Sequence, residues 1–302
     1  IIGVLLSTFF IACKSDDDNG PEIVPPRDQG EQAIADDEAI ISYLQTHFYN
    51  EEDFVNASES FDYKIRFDTI SGDNSNKTPL IESNLLSSEI ITRNEVEYTI
   101  YVLKIREGVG DHPTFADSTF QNYKGELLNR TVFDNTVNPV WFDHPGTMSQ
   151  NNAGIAVTGL TKALTQFGEA SDFTVNPDNT VSWSNDFGIG AVFVPSGLAY
   201  FANGTPTIPA YSPLIFSFQL YRVNEADHDG DGIPSYMEDL DGDGILSNDD
   251  SDENSTPNYL DADDDGDGTP TRDEIIINED GSLEFPDTSG NGIPDYLDPN
   301  TF

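Results

Sequence analysis

The sequence is poor in cysteine and in basic residues, and each shortage excludes a class of protein. Its single cysteine, Cys13, cannot form an intrachain disulfide, so packing and bound ions must stabilise the fold. Only 13 Lys and Arg stand against 55 Asp and Glu, which gives a net charge of -42. Such a charge repels nucleic acid phosphates and anionic membrane surfaces, so we expect neither as a partner. We expect cations instead, because they are attracted by the negative charge.

The acidic residues are concentrated at the C-terminal end of the chain. Residues 224–302 hold 25 Asp and Glu and a single base, Arg272, whereas residues 1–223 hold 30 acids and 12 bases. The alternation of apolar and polar residues also stops at about Val223. We therefore predict a domain boundary there, followed by an acidic tail over residues 224–302 that differs in kind from the rest of the chain.

The N-terminus carries an apolar run, residues 1–12, that is too short for a membrane span and ends at Cys13. Phe10-Ile11-Ala12-Cys13 resembles the lipobox of bacterial lipoproteins, and the acidic run over 14–18 resembles the surface-export signal of Bacteroidetes lipoproteins. The resemblance implies that residues 1–13 are a signal peptide and lipobox, that Cys13 is lipidated, and that the protein is an outer-membrane lipoprotein of the cell envelope, exposed at the surface. With no initiator Met, we expect the sequence to begin inside a precursor.

Apolar periodicity then divides the chain into elements. Residues 14–35 are rich in charge and proline and are predicted to be a flexible tether. Helical spacing predicts a helix over residues 36–48, and alternation predicts extended chain through most of residues 60–105. We assign residues 36–95 to a helix-plus-strand extension that precedes the main domain.

Residues 96–223 are predicted to form the main domain. Alternation returns over residues 120–127, 190–194 and 214–220, and one stretch of helical period, residues 160–167, interrupts the strands. This pattern predicts an α+β fold, in which a short helix lies across one face of an antiparallel sheet.

Motifs in this main domain resemble those of the FKBP-type peptidyl-prolyl isomerases. Tyr123-Lys124-Gly125 followed by Phe133-Asp134 resembles the family's Tyr-x-Gly strand and Phe-Asp pair, and Val157-Thr158-Gly159-Leu160 resembles its Val-Ile-x-Gly-Trp segment. The closing motifs follow in the family's order: Val194-Pro195, Ala199-Tyr200, Ile208-Pro209 and Leu214-Ile215-Phe216. The resemblance implies an FKBP-like antiparallel sheet wrapped on a short helix.

Prolyl isomerisation needs an apolar site rather than a nucleophile, a metal or a cofactor. Rotation about an X-Pro bond breaks amide resonance against a barrier of ~18–20 kcal/mol, and the twisted amide is less polar than the planar one. The resemblance implies that Tyr123 and Asp134 polarise the substrate amide and that Tyr200 donates a hydrogen bond to a substrate carbonyl. The walls of the pocket are then Phe133, Trp141, Val157, Leu160, Ile208 and Phe216, and the backbone N–H of Val157 is a further donor.

This sequence departs from the family at three places. Leu160 stands where many members have Trp, Phe201 stands where Gly is usual, and residues 168–187 form an insertion that contains Trp183. Surface roles are expected for the four histidines because none has a spacing to Ser or Cys typical of nucleophilic catalysis: His47, His112, His144 and His228.

The acidic tail repeats the spacing of the EF-hand calcium loop, with acids at positions 1, 3, 5 and 12, glycine at 6 and a backbone carbonyl at 7. Copies begin at Asp227, Asp239, Asp263 and Asp287, and a degenerate copy covers residues 250–261. Because the flanks lack long apolar helical runs, the copies resemble thrombospondin type 3 repeats more than helix-loop-helix pairs. The predicted calcium ligands are Asp227, Asp229, Asp231, Ile233, Glu238, Asp239, Asp241, Asp243, Ile245, Asp250, Asp263, Asp265, Asp267, Thr269, Glu274, Asp287, Ser289, Asn291, Ile293 and Asp298.

The sequence therefore predicts a peptidyl-prolyl cis-trans isomerase that assists folding in the cell envelope. Its partners are proline-containing segments of envelope proteins, and calcium is a structural ion of the tail with no part in catalysis. Two alternatives remain open: a non-catalytic FKBP-fold binding or chaperone module, and a calcium-dependent surface adhesion protein in which the tail is the functional part.

Overall fold

The computed structural model describes residues 25–58, 60–147, 154–155 and 157–301. The predicted signal peptide, the lipobox with Cys13 and the first part of the tether lie outside these residues. Among the helices in the described ranges, none combines the length and the apolar character that a bilayer crossing requires.

The first helix, α1 (Gln29–Thr46), begins earlier than the sequence predicts. Asp28 caps it by accepting a hydrogen bond from the Glu31 backbone N–H at 2.9 Å. Asp36, the predicted start, is instead a buried side chain within the helix, and it accepts hydrogen bonds from the N–H and the hydroxyl of Ser196 at 2.7 and 2.6 Å. Residues 29–35 therefore belong to the folded domain and are not a tether.

A small ladder follows α1. It joins β1 (His47–Tyr49) to β2 (Phe67–Thr69), with α2 (Glu51–Val55) between them. The alternation over Phe61 to Phe67 predicts a longer strand than this. Tyr63 has a φ of 52°, in the left-handed region, and this interrupts the extended backbone before β2.

The main sheet has seven strands, and all of its pairs are antiparallel. The strands are β3 (Leu86–Arg93), β4 (Val96–Arg106), β5 (Ser118–Leu127), β6 (Val132–Asn135), β7 (Val140–Asp143), β10 (Gly188–Val194) and β11 (Leu214–Asn224). Their order is β3-β4-β10-β11-β5-β6, and β7 also pairs with β5. The predicted α+β class with an antiparallel sheet is confirmed. The predicted boundary at residue 96 falls inside the β3–β4 hairpin.

Helices cover both faces of this sheet. On one face α3 (Thr158–Leu164) packs with Val192 and Val194, and on the other α1 packs with Phe193 through Tyr43. All seven residues of β10 are buried, because a strand covered on both faces has no solvent side. The insertion forms a hairpin of β8 (Phe173–Val175) and β9 (Val181–Trp183), and Trp183 packs in the cluster on the α1 face.

The acidic tail begins after β11, which ends at Asn224. It contains short turns of helix rather than long helices, together with a two-residue hairpin of β12 (Ile276–Ile277) and β13 (Leu283–Glu284). The helical turns are Ser235–Glu238, Leu246–Asn248, Asn258–Leu260, α4 (Thr271–Glu274) and Asp295–Leu297. Proline precedes four of the five, at residues 234, 257, 270 and 294.

Candidate functional site

A cavity of about 270 Å³ lies between β5, β6, β7 and the start of α3. This volume is near the lower end for ligand pockets, which hold about 300–1,000 Å³, so it suits a group of side-chain size. Eight of the nine residues predicted for the pocket line it: Tyr123, Phe133, Asp134, Val157, Leu160, Tyr200, Ile208 and Phe216. Gln121, Phe142, Ile155, Thr205 and Thr207 complete the wall together with Gly154.

Aromatic rings form one side of this cavity. The Phe216 ring lies edge-on to Phe133 with centroids 5.6 Å apart, and the Tyr123 ring is 5.3 Å from that of Phe142. Gly125 makes this packing possible, since a Cβ there would lie 2.5 Å from the Phe133 ring. The glycine of the Tyr-x-Gly motif thus has a steric role, because it leaves room for the Phe133 ring beside β5.

Tyr123 and Asp134 lie on neighbouring strands, and their side chains meet at the cavity. The Tyr123 hydroxyl donates a hydrogen bond to Asp134 Oδ2, and Asp134 Oδ1 accepts one from the Asn135 N–H at 2.8 Å. Burial, and then the hydrogen bond to Asp134, raise the pKa of Tyr123 well above its ordinary value of 10. The hydroxyl therefore stays protonated, as a hydrogen-bond donor must.

Gln121 is a cavity residue that the sequence analysis missed. It is 1% exposed, and neither its Oε1 nor its Nε2 has a hydrogen-bond partner within the described ranges. An unsatisfied buried amide costs about 1–3 kcal/mol, so such a group is uncommon unless something else binds it. Its sequence position could have indicated this role. Gln121 lies two residues before Tyr123, so the two side chains lie on the same face of β5.

Trp141 differs from the prediction. It is 52% exposed, its ring packs on Phe120 at 5.3 Å, and it does not line the cavity. Phe142, the next residue along β7, lines the cavity instead. Successive residues of a strand point to opposite faces, so a shift of one residue in register decides which aromatic side chain enters.

Phe201, which stands where Gly is usual in the FKBP family, has an unusual backbone conformation. Phe201 has a φ of 44°, in the left-handed region that favours glycine. Glycine is also the residue that the FKBP resemblance predicts at this position. Its N–H and carbonyl are both hydrogen-bonded, to Ser196 O and from Tyr211 N, and its ring lies edge-on to that of Tyr211 at 5.1 Å. These contacts hold a conformation that costs a side-chain-bearing residue about 1–3 kcal/mol.

One histidine is buried and another is half-buried, contrary to the expectation of surface roles. His144 Nε2 lies 3.0 Å from Thr119 Oγ1. His228 links β7 to the tail, with Nε2 3.0 Å from Asp143 Oδ1 and Nδ1 2.9 Å from Ser235 Oγ. This Asp-His-Ser arrangement has the order of a hydrolytic triad, but Ser235 is completely buried and no substrate can reach its hydroxyl.

The five loops of the acidic tail share one backbone geometry. In each, the side chain at position 1 accepts a hydrogen bond from the N–H of residue 6, at 2.9–3.2 Å. The side chain at position 5 accepts one from the N–H of residue 7, at 2.6–2.7 Å. Positions 4 and 6 both have positive φ, and both are glycine in every loop except the third, which has Glu253 and Ser255. The calcium-loop pattern in the sequence predicts a glycine only at position 6, and the structure adds the glycine at position 4.

Carboxylates converge in the first and fourth loops, residues 227–238 and 263–274. Oxygens of Asp227, Asp229 and Asp231 lie within 4.8 Å of one another, as do those of the three aspartates of the fourth loop, Asp263, Asp265 and Asp267. At this separation two like charges repel by roughly 3 kcal/mol at an effective dielectric constant of about 20. Burial, with the charge of Asp227, raises the pKa of Asp231 to about 6. The arrangement is therefore one that a cation would stabilise.

In the second loop, residues 239–250, the structure groups Asp249 with the other carboxylates rather than the predicted Asp250. Asp249 clusters with Asp239 and Asp241, and Asp249 Oδ2 has no hydrogen-bond partner in the part of the chain that the structure describes. The predicted ligand Asp250 instead accepts hydrogen bonds from the N–H groups of Asn254 and Ser255, at 3.1 and 2.9 Å. Asp250 thus begins the third loop rather than ending the second.

Amide side chains hydrogen-bond to carboxylates in the third and fifth loops, residues 250–261 and 287–298. Asn254 Nδ2 donates to Asp252 and Asp261 at 2.9 and 2.7 Å. In the fifth loop Asn291 Nδ2 donates to Asp298 Oδ2 at 2.9 Å. Unpartnered buried carboxylate oxygens occur instead in the first, second and fourth loops, among the tail residues 225–301.

Comparison with known proteins gives two kinds of match. The family described as BamM C-terminal matches residues 228–286, which lie within the acidic tail. A search of curated proteins finds no match.

Three solved structures resemble about half of this chain. A peptidyl-prolyl cis-trans isomerase from Pseudomonas syringae pv. tomato has a TM-score of 0.34 and 21% identity, over 48% of this chain and 84% of that one. FkpA from Escherichia coli has a TM-score of 0.33 and 23% identity, over 47% and 53%. The N-terminal domain of FKBP42 from Arabidopsis thaliana has a TM-score of 0.33 and 16% identity, over 46% and 93%.

Proposed function

We propose that the domain ending at β11 is a peptidyl-prolyl cis-trans isomerase of the FKBP type, which binds proline-containing segments of other polypeptides in the cavity. One observation carries the proposal: Tyr123, Asp134, Tyr200 and Phe216, which are far apart along the chain, line a single small apolar cavity. Their types and order are those that the FKBP resemblance assigns to the proline site.

The cavity suits the reaction because it removes the prolyl amide from water. The planar amide is more polar than the twisted one, so an apolar wall of Phe133, Phe142 and Phe216 disfavours the ground state more than the transition state. Tyr200 lines the cavity, and its hydroxyl would donate to a substrate carbonyl. Each 1.4 kcal/mol of preferential stabilisation increases the rate about tenfold, and no bond to the protein is formed.

A prolyl peptide exchange assay with the full chain tests this proposal. Tyr123→Phe removes the hydroxyl that meets Asp134, and we expect kcat/KM to fall about tenfold, as loss of about 1.4 kcal/mol of stabilisation would give. Tyr221→Phe is the matched control, because it removes a buried hydroxyl from the opposite face of the sheet. Equal rates for Tyr123→Phe and the wild type would contradict the proposal. Peptide binding without any rate acceleration would favour the non-catalytic binding module.

Gln121 gives the proposal a second, independent test. We propose that its unpartnered amide hydrogen-bonds the substrate backbone beside the proline. Gln121→Leu keeps the approximate volume and removes both polar atoms, so the free protein loses no hydrogen bond and should be at least as stable. Peptide affinity should nevertheless fall by about tenfold. Unchanged affinity in isothermal titration would remove Gln121 from the site.

We also propose that the tail binds calcium through the predicted loop ligands, with Asp249 in place of Asp250. The specific support is the set of buried carboxylate oxygens without partners in the first, second and fourth loops. Calcium takes six to eight oxygen ligands and would satisfy such a set. Calcium titration of the chelated protein, followed by small-angle scattering, should show a compaction that an equal ionic strength of sodium does not produce. Identical scattering with and without calcium would oppose the idea.

A third part of the proposal concerns the location. We propose that a lipid on Cys13 holds the protein in the cell envelope, on the support of the lipobox-like sequence before it. A bacterial host fed a labelled fatty acid should label the precursor but not its Cys13→Ala variant. Equal labelling of both would exclude the anchor.

A further inference from the structure

Asp264 is a buried acid that the calcium-loop pattern does not use. It follows position 1 of the fourth loop, and its side chain is 1% exposed. Neither of its carboxylate oxygens has a hydrogen-bond partner among the described residues. An ionised carboxylate in such a place is costly unless a cation or donors meet it, so Asp264 requires an explanation beyond the loop repeat.

The partners of Asp264 come from the first loop. One carboxylate oxygen each of Asp264, Asp231 and Glu238 lie within 4.8 Å of one another, and all three side chains are buried. Both oxygens of Glu238 and Oδ2 of Asp231 also lack hydrogen-bond partners in the described part of the chain. No Lys, Arg or His within those ranges forms a salt bridge with any of the three.

Asp231 belongs to two carboxylate groups at once. It clusters with Asp227 and Asp229 in the first loop, and separately with Glu238 and Asp264. A carboxylate has two oxygens and can bridge two cations, as acidic residues do in sites that hold a pair of metal ions. The first group corresponds to the ion expected within the loop. The second group contains positions 5 and 12 of the same loop, Asp231 and Glu238, and adds Asp264 from the fourth loop.

We propose that Asp231, Glu238 and Asp264 bind a second divalent cation, of the calcium class, which connects the first loop to the fourth and shares Asp231 and Glu238 with the ion of the first loop. The proposal rests on the calcium-binding function proposed for the tail. Oxygen-only ligands favour a hard cation such as calcium. The backbone N–H of Asp264 donates to Thr271 Oγ1 at 3.1 Å, which fixes the start of the fourth loop beside the site.

Ion counting on the full chain tests the second site. Wild type and variants are loaded with calcium, desalted, and analysed for calcium per chain by mass spectrometry. We expect Asp264→Asn to carry one ion fewer than the wild type. Asp273→Asn removes the same charge from an exposed position in the same loop and should keep the wild-type count. An unchanged count in Asp264→Asn would overturn the proposal.

A crystal of the wild type grown with calcium gives a test that needs no variant. An anomalous peak between Asp231, Glu238 and Asp264, separate from the peak of the first loop, is the expected result. Loop ions without that peak would overturn the second site and leave the proposed calcium loops intact. A wild type that binds no calcium at all would instead end both proposals.

Discussion

Acidification tests the packing between the sheet and the acidic tail, because a buried histidine lies there. His144 follows β7 and is 4% exposed. Burial lowers the pKa of His144 from 6.5 to about 4, against the opposing charges of Asp117 and Asp143. Leu246 and Tyr259 of the tail lie with His144 around one cleft, so protonation there strains the contact between the two parts of the chain.

The sign and size of the effect follow from linkage. The folded state favours the neutral imidazole, so the contribution of His144 to stability is present above pH 6.5 and is lost as the pH falls from 6.5 through 4. The full pKa difference corresponds to about 3 kcal/mol of unfolding free energy, and about 2 kcal/mol of it is lost by pH 5. At pH 5 most carboxylates remain ionised.

Urea unfolding at pH 7.5 and pH 5.0, in saturating calcium, measures this contribution. The wild type should lose about 2 kcal/mol more than His144→Gln between the two pH values, because glutamine cannot take up the proton. His112→Gln, which replaces a more exposed histidine, should behave as the wild type does. An equal loss in the wild type and in His144→Gln would refute the reasoning, whatever the absolute stabilities are.

Three further changes test the cavity and the tail. Gly125→Ala places a Cβ 2.5 Å from the Phe133 ring, so Phe133 must move. We expect kcat/KM in the exchange assay to fall about tenfold. An unchanged kcat/KM would contradict the steric role of the glycine. Tyr259→Ala removes a buried ring and should lower the unfolding free energy of the calcium-loaded tail in urea by about 3–5 kcal/mol. Tyr259→Phe loses only the hydrogen bond to the Gly146 carbonyl, so its unfolding free energy should fall by about 1 kcal/mol. Equal losses would show that the ring is not a core residue. Chelation of calcium should lower isomerase activity, whereas the adhesion alternative predicts that isomerisation persists.

Most strands could be predicted from the sequence, because a half-buried strand must alternate. The start of α1 could not be predicted, since residues 29–35 contain one large apolar side chain, Ile34, and therefore show no helical periodicity. Their place in the fold depends on Asp36, which contacts Ser196 across 160 residues of sequence. Local periodicity carries no information on such a contact.

The site was predictable where a motif fixes the face of a strand, as for Tyr123 and Asp134. The site was not predictable where two similar residues are adjacent in the sequence. Between Trp141 and Phe142 the register of β7 on β5 decides which ring enters the cavity. Between Asp249 and Asp250 the path of the chain between two loops decides which carboxylate joins the second cluster. Neither choice leaves a signal in composition or spacing.

The tail and the cavity meet at the segment between β7 and α3. Tyr259 of the tail donates a hydrogen bond to the Gly146 carbonyl at 3.2 Å, and His228 meets Asp143 at the end of β7. Ile155 and Val157, at the other end of the same segment, line the cavity. The Ile155 N–H donates to the His144 carbonyl at 2.9 Å, so ions bound by the proposed calcium loops would also restrain this wall of the cavity. Under the two proposals, calcium binding and isomerisation would be coupled through these contacts, and the adhesion alternative requires no such coupling.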